Sequence, residues 1–177
     1  GGYLPAQAGF VSVVAQVWQE YEKILKRDNA LDFDDLLLKT VRLLRSNDVV
    51  REHYREVWQY IHIDEYQDTN KVQYEIARLL TGESHNIAVV GDIDQNIYSW
   101  RGADIQNIMK FEKDYPEAKI ILLEENYRST KNILEAANTI IKKNKIRVEK
   151  NLFTGNAKGE LIGVVSNFDE LSEAEFI

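Results

Sequence analysis

Cysteine is absent from the 177 residues, which excludes disulfides and thiolate metal sites and fits a reducing compartment. Proline occurs twice and glycine nine times, too sparsely for a fibrous or disordered chain. No run of 18 or more apolar residues is present, so nothing is expected to span a bilayer. No basic segment precedes the modest apolar stretch near the start, so a secretory signal is not expected there. Basic residues are outnumbered, and the formal charge of −7 argues against a simple nucleic-acid-coating protein. It leaves room for nucleic acid held by stacking and a few local contacts. What is present is a hydrophobic fraction of 44%, enough for a packed core, and a charged fraction of 29% that suits a solvated surface.

One stretch reverses the charge. Between Lys131 and Lys150 lie Lys131, Lys142, Lys143, Lys145, Arg147 and Lys150 against Glu135 and Glu149. On charge alone this reads as a solvated helix face and loop.

Apolar spacing predicts a helix over 11–27, through Val14, Val17, Trp18, Tyr21, Ile24 and Leu25. After a turn at Asp28-Asn29, Asp32 is placed to cap a second helix, which should run to about Arg45, with a short third to about Val57. The period then changes. Tyr60-Ile61-His62-Ile63 is a β-prone run that stops at Asp64, and a helix is expected over 71–80. Ile87-Ala88-Val89-Val90 is a second strand, ending at Gly91-Asp92, and a helix is expected over 104–114. Lys119–Leu123 reads as a third strand, followed by Glu124-Glu125 and a helix over 130–143. A strand over 161–166 and a helix from Glu170 close the chain. Apolar strands alternating with helices imply an α/β fold, a parallel sheet covered by helices on both faces, with a flanking helical segment at the start. Ligands of such sheets sit beyond the carboxyl ends of the strands, where three consecutive strands are expected to end in acids. A helix running into Ile177 and a helical start without a strand lead to the expectation of a piece of a longer protein.

Asp64-Glu65 after Ile61-His62-Ile63 is an arrangement a nucleotide hydrolase uses. The first carboxylate can hold Mg²⁺ through its water shell, and the second can orient or deprotonate the attacking water. The dipeptide alone is better read as a pair of loop acids that cap the next helix. The string Asp64-Glu65-Tyr66-Gln67-Asp68-Thr69 is more specific. In the loop from Gly91 to Ala103, Gln95 can reach a terminal phosphate or its water, and Tyr98 and Trp100 offer faces on which bases stack. Arg101 can pair a phosphate or carboxylate bidentately. The plainer alternative puts both aromatics in the core, against which their polar, glycine-bounded loop argues. In Glu125-Asn126-Tyr127-Arg128-Ser129-Thr130, Ser129 or Thr130 can cap a helix. Placed at the same sheet edge, Arg128 can stabilise a transferring phosphoryl group and Tyr127 can stack on a base.

Together these three strings resemble the UvrD/PcrA/Rep group of superfamily 1 ATP-dependent DNA helicases. Asp64–Asp68 looks like helicase motif II, Gly91–Ala103 like motif III, and Glu125–Thr130 like motif IV; Leu31–Leu36 also matches a segment of the family. The resemblance implies a cytoplasmic enzyme that uses ATP and Mg²⁺ to move 3′→5′ on single-stranded DNA and to separate duplex DNA. It implies that Asp64 holds the metal, Glu65 activates water and Gln95 senses the γ-phosphate. Tyr127 would lie against the adenine, and Arg128 would act as an arginine finger. Tyr98, Trp100 and Arg101 would contact DNA. By the same resemblance, residues 31–129 are the C-terminal half of a RecA-like P-loop NTPase domain, 1–30 the tail of its helical insertion, and 130–177 the beginning of a second RecA-like domain.

No Gly-x-x-x-x-Gly-Lys-Ser/Thr loop occurs in these residues, so the phosphate cradle is missing and the residues by themselves are expected to be inactive. Two rivals remain. A metal-dependent nuclease would use Asp32, Asp34, Asp35, Asp64, Glu65 and Asp68 as a carboxylate cluster, but leaves Gln95, Tyr98, Trp100 and Arg128 without a role. A non-catalytic single-stranded DNA- or protein-binding module would use the aromatics of the 91–103 loop.

Overall fold

A computed structural model describes residues 5–144 and 150–177. Lys145, Arg147 and Glu149, part of the charge-reversed stretch, lie outside the described residues. The chain divides into two compact units: residues 1–92 with 96–111, and residues 93–95 with 112–177.

The first unit begins with α1, Pro5–Arg27. Its apolar positions from Phe10 to Ile24 are largely exposed. Its end is tied down where the Tyr21 hydroxyl donates to Asp32 Oδ2 at 2.8 Å. Asp32 caps α2 (Phe33–Ser46) as the sequence predicts, its other oxygen accepting the Asp35 N–H at 2.7 Å. Asn47 ends α2 and caps α3 (Asp48–Val57), which is why two helices follow without a linker.

A strand, β1 (Ile61–Ile63), then leads through α4 (Lys71–Thr81) to β2 (Ile87–Val89). Asn70 and Gln73 form a reciprocal capping box at the start of α4, satisfying N–H groups that the first helical turn leaves over. The two strands pair in parallel, Ile61 with Ile87, His62 with Ala88 and Ile63 with Val89. The core of this unit lies between α2 and α4, where Val41, Leu44, Ala77 and Thr81 are buried. The Arg45 guanidinium pairs with the Glu75 carboxylate from one helix to the other, and Arg55 on α3 donates to the Leu79 carbonyl at 2.8 Å.

The expected helix over 104–114 is two short pieces, α5 (Gln106–Met109) and α6 (Phe111–Asp114), broken at Lys110. In the second unit, α7 (Lys131–Ile141) is fastened by the Lys131 and Asn132 N–H groups to the carbonyls of Ala157 and Lys158. Asp169 caps α8 (Glu170–Phe176) through the Ser172 N–H at 2.8 Å. Tyr115, Leu134 and Thr154 are its buried residues.

Three expectations are corrected. Residues 119–123 form no strand: Ile120, Ile121, Leu122 and Leu123 are 50–76% exposed, and only an isolated parallel bridge joins Glu125 to Phe153 just beyond. Residues 161–166 form no strand either. Both runs have β propensity, but a strand needs a ladder partner, and none pairs with them among the described residues. The sheet is α/β and parallel but two-stranded, and it is not covered on both faces, because His62 and Ala88 are exposed while their neighbours are half-buried.

Candidate functional site at the ends of the two strands

The ladder continues past the strands proper. The Val90 N–H donates to the Ile63 carbonyl at 2.8 Å, and the Tyr66 N–H to the Val90 carbonyl at 2.9 Å. This fixes where the chain leaves β1, and Asp64 and Glu65 emerge there with exposed side chains. Asp64 Oδ1 accepts the Glu65 N–H at 2.8 Å; Oδ2 has no hydrogen bond among the described residues. Glu65 adopts the left-handed conformation, φ 49° and ψ 42°. For a residue other than glycine that conformation is uncommon and costs on the order of 1–3 kcal/mol, so the surroundings must hold it.

What holds it is a turn of 3₁₀ helix, Tyr66–Asp68, seated in the core. Tyr66 and Gln67 are each only 1% exposed. The Tyr66 ring meets Phe111 edge-on, with centroids 5.7 Å apart. Gln67 is hydrogen-bonded at both ends of its amide. Nε2 donates to Glu65 Oε2 at 2.7 Å and to Asp68 Oδ2 at 3.3 Å, and Oε1 accepts the Asp92 N–H at 2.9 Å. The Asn96 side chain donates to the Gln67 carbonyl. Gly91 makes room for this, because a Cβ there would lie 2.7 Å from Gln67 Oε1. Buried Asn107 completes the bracket, donating to Thr69 O at 2.9 Å, Thr69 Oγ1 at 3.2 Å and Asn70 O at 3.3 Å.

Further along the same unit, Tyr98 and Trp100 are 39% and 74% exposed. The Arg101 guanidinium lies over both rings, 5.5 Å from the Tyr98 centroid and 4.7 Å from that of Trp100. A turn of 3₁₀ helix, Ser99–Arg101, closed by Gly102 at φ 88°, brings the three side chains together. The result is an exposed aromatic and cationic surface, as the polar loop predicted.

Gln95, Tyr127 and Arg128 belong to the second unit. No strand over 119–123 precedes Glu125–Thr130. The segment is instead shaped by Asn126, whose Oδ1 accepts the N–H groups of Arg128 at 3.1 Å and Ser129 at 2.7 Å, while Asn156 Nδ2 donates to the carbonyls of Tyr127 and Ser129. Thr130 occupies the cap position of α7 without a side-chain capping bond. The Tyr127 ring is 78% exposed, and its hydroxyl donates to Glu125 Oε2 at 2.8 Å, which raises its pKa above the ordinary tyrosine value. The exposed Arg128 guanidinium has no hydrogen-bond or ion-pair partner among the described residues.

The buried brackets Gln67, Asn96 and Asn107 escaped the sequence reading. The one signal for them was Gly91, since glycine at a strand end marks a close backbone approach. The nuclease cluster does not assemble: no group of three potential metal ligands occurs among the described residues. Asp32 is used as a helix cap, and Asp35 pairs with Lys39 at 2.8 Å. No described helix is long and apolar enough to cross a membrane.

Two acids at the end of a strand in a parallel α/β unit lie where ligands of such sheets bind. Comparison with known families supplies the class. Residues 5–116 match the UvrD/REP helicase N-terminal domain, and residues 121–177 match the UvrD-like helicase C-terminal domain. The chain belongs to the UvrD/REP helicase family. It is 54% identical over 165 residues to the ATP-dependent DNA helicase PcrA of Staphylococcus aureus strain Mu50, and 53% identical over 165 residues to that of Staphylococcus epidermidis strain RP62A. In both cases the match takes in 93% of this chain and 23% of the relative, so the chain spans about a quarter of their length.

Proposed function

We propose that these residues are part of the motor of an ATP-dependent DNA helicase that moves 3′→5′ on single-stranded DNA and separates duplexes. The observation that carries this reading is the exposed Asp64-Glu65 pair at the end of β1, in a chain 54% identical to a PcrA helicase. In the proposed organisation, residues 31–129 complete a first RecA-like domain, 1–30 are the tail of its helical insertion, and 130–177 begin a second RecA-like domain.

The donor set fits Mg²⁺, which takes hard oxygen ligands and keeps several waters. Asp64 has one oxygen tied to the Glu65 N–H and the other available to the water shell of the ion. When bound, the ion neutralises charge on the nucleotide phosphates. Glu65 takes the proton of the attacking water. Gln95 hydrogen-bonds the terminal phosphate, and the unpartnered guanidinium of Arg128 stabilises charge on the transferring phosphoryl group. Tyr127, held by Glu125, lies against the adenine. Tyr98 and Trp100 stack on successive bases, with Arg101 beside them.

No residue here forms a phosphate-binding loop, so residues 1–177 alone neither hydrolyse ATP nor unwind DNA. A second reading applies to them in isolation: the exposed Tyr98, Trp100 and Arg101 surface makes a single-stranded DNA-binding module without catalysis.

The test is unwinding by the full-length helicase containing these residues. A duplex with a 3′ single-stranded tail should open with ATP and Mg²⁺, and one with a 5′ tail should not. Opening from the 5′ tail overturns the polarity. DNA-stimulated phosphate release by residues 1–177, abolished by Glu65→Gln, overturns their inactivity.

A further inference from the structure

We infer that Gln67 is the positioning residue that aims the Glu65 carboxylate, and that it takes its own position from the backbone at the end of β2. The inference rests on the hydrolytic role proposed for Glu65.

Glu65 is exposed and in a left-handed conformation, so its carboxylate would otherwise sample many directions. One contact limits it, the 2.7 Å hydrogen bond from Gln67 Nε2 to Oε2. Gln67 can impose a direction because its own side chain is buried and cannot rotate away. The chemistry fixes which way its amide faces. The Asp92 N–H can only donate, so it must meet Oε1, and this leaves Nε2 toward the carboxylates of Glu65 and Asp68. The bond occupies one lone-pair region of Glu65 Oε2 and leaves Oε1 for a water. A general base must lie within hydrogen-bond reach of the proton it takes, so a carboxylate fixed in direction is worth more than one that wanders.

The anchor is specific to this packing. Asp92 lies 25 residues from Gln67. It follows Gly91, whose missing side chain leaves the space that Gln67 Oε1 fills. Asn96 fixes the Gln67 backbone by donating to its carbonyl. A glutamine that served stability alone would satisfy its amide within the core. Here its donor end reaches an exposed carboxylate.

The experiment measures DNA-stimulated ATP turnover by the full-length helicase containing these residues. In Gln67→Glu an acceptor for the Asp92 N–H remains and the donor toward Glu65 is lost while the new carboxyl is ionised, so Gln67→Met, which neither donates nor carries charge, is measured beside it. The kcat of Gln67→Glu should fall by about tenfold to a hundredfold, the scale known for loss of a partner that orients a metal ligand. The KM for ATP and the affinity for oligothymidylate should stay within about twofold of wild type. In the Glu65→Gln background the same substitution should lower the residual single-turnover rate no further, because its effect passes through Glu65. Should Gln67→Glu fail to fold, Gln67→Met removes the same donor without adding charge and carries the same cycle. An unchanged kcat overturns the inference. So does a kcat loss matched by losses in nucleotide and DNA affinity, or a full further loss in the Glu65→Gln background. If Glu65→Gln itself leaves turnover intact, the hydrolytic reading fails and this inference with it. If Glu65→Gln abolishes turnover while Gln67→Glu is silent, only the inference fails.

Discussion

The side-chain oxygen of Gln67 accepts the backbone N–H of Asp92 at 2.9 Å and so joins the loop after β1 to the loop after β2. Parallel strands alone set the spacing of the two loops but not the direction of their side chains. The buried amide supplies that second constraint. It also explains why a glycine precedes Asp92, since any side chain at position 91 would occupy the space of the amide oxygen.

Gly91→Ala should therefore destabilise the fold. The new Cβ would sit 2.7 Å from Gln67 Oε1 and 3.1 Å from Ile108 Cδ1. Overpacking of this kind costs about 1–3 kcal/mol. In urea unfolding the midpoint should drop without a change in slope. An unchanged midpoint would show that the amide can retreat, and that it does not hold the two loops together.

Asn107→Leu removes the buried donor that serves Thr69 and the Asn70 carbonyl. The Thr69 carbonyl keeps the Asp104 N–H and the Asn70 carbonyl keeps the Tyr74 N–H, so the loss is that of one shared donor, about 0.5–1.5 kcal/mol. Hydrogen exchange should then accelerate at the Asp104 N–H, which shares the Thr69 carbonyl with Asn107. Wild-type exchange at that amide would count against the bracket.

Asp32 makes stability depend on pH. The Asp35 N–H first, and then the Tyr21 hydroxyl, hold its carboxyl below the usual aspartate value. A group whose folded pKa is depressed contributes stability above its unfolded pKa, about 3.9 for aspartate, and loses it as pH falls through the lower folded value. Stability should thus decline in that acidic window. Asp32→Asn should flatten this part of the profile, and an identical acid limb in the variant would contradict the linkage.

Single-stranded DNA should alter Trp100 emission, because the indole is exposed beside Tyr98 and Arg101. Trp18 and Trp58 are also exposed, so the measurement belongs in a Trp18→Phe, Trp58→Phe background. Titration with oligothymidylate should quench the signal, and Tyr98→Ala should weaken binding by about 1–3 kcal/mol, the worth of one stacked base. Unchanged emission at low salt would argue that this loop does not touch DNA.

Local chemistry made part of this architecture legible beforehand. Asp32 could be recognised as a cap because the side chain and the N–H it serves are three residues apart. Ile61–Ile63 and Ile87–Val89 were readable as strands because short apolar runs ended abruptly at acids. Ile120–Leu123 looked the same, yet lies exposed and unpaired, since propensity cannot supply a ladder partner distant in sequence. Lys110 breaks the helix expected over 104–114, and nothing in its neighbours announced the break. Asp64, Glu65, Tyr98, Trp100 and Arg101 are proposed as site residues from residue type and from likeness to a family. Gln67 stands within the Asp64–Thr69 string, where residue type alone gives it no role. Its burial depends on Gly91 and Asp92, 24 and 25 positions further on.

The most direct measurement is DNA-stimulated ATP hydrolysis by the full-length helicase containing these residues, wild type against Glu65→Gln, with nucleotide binding followed in parallel. A water-activating Glu65 predicts a kcat reduced by about a hundredfold or more with ATP still bound, the scale lost with a general base. Hydrolysis at the wild-type rate in Glu65→Gln would contradict the assignment of the β1 acids as the hydrolytic site.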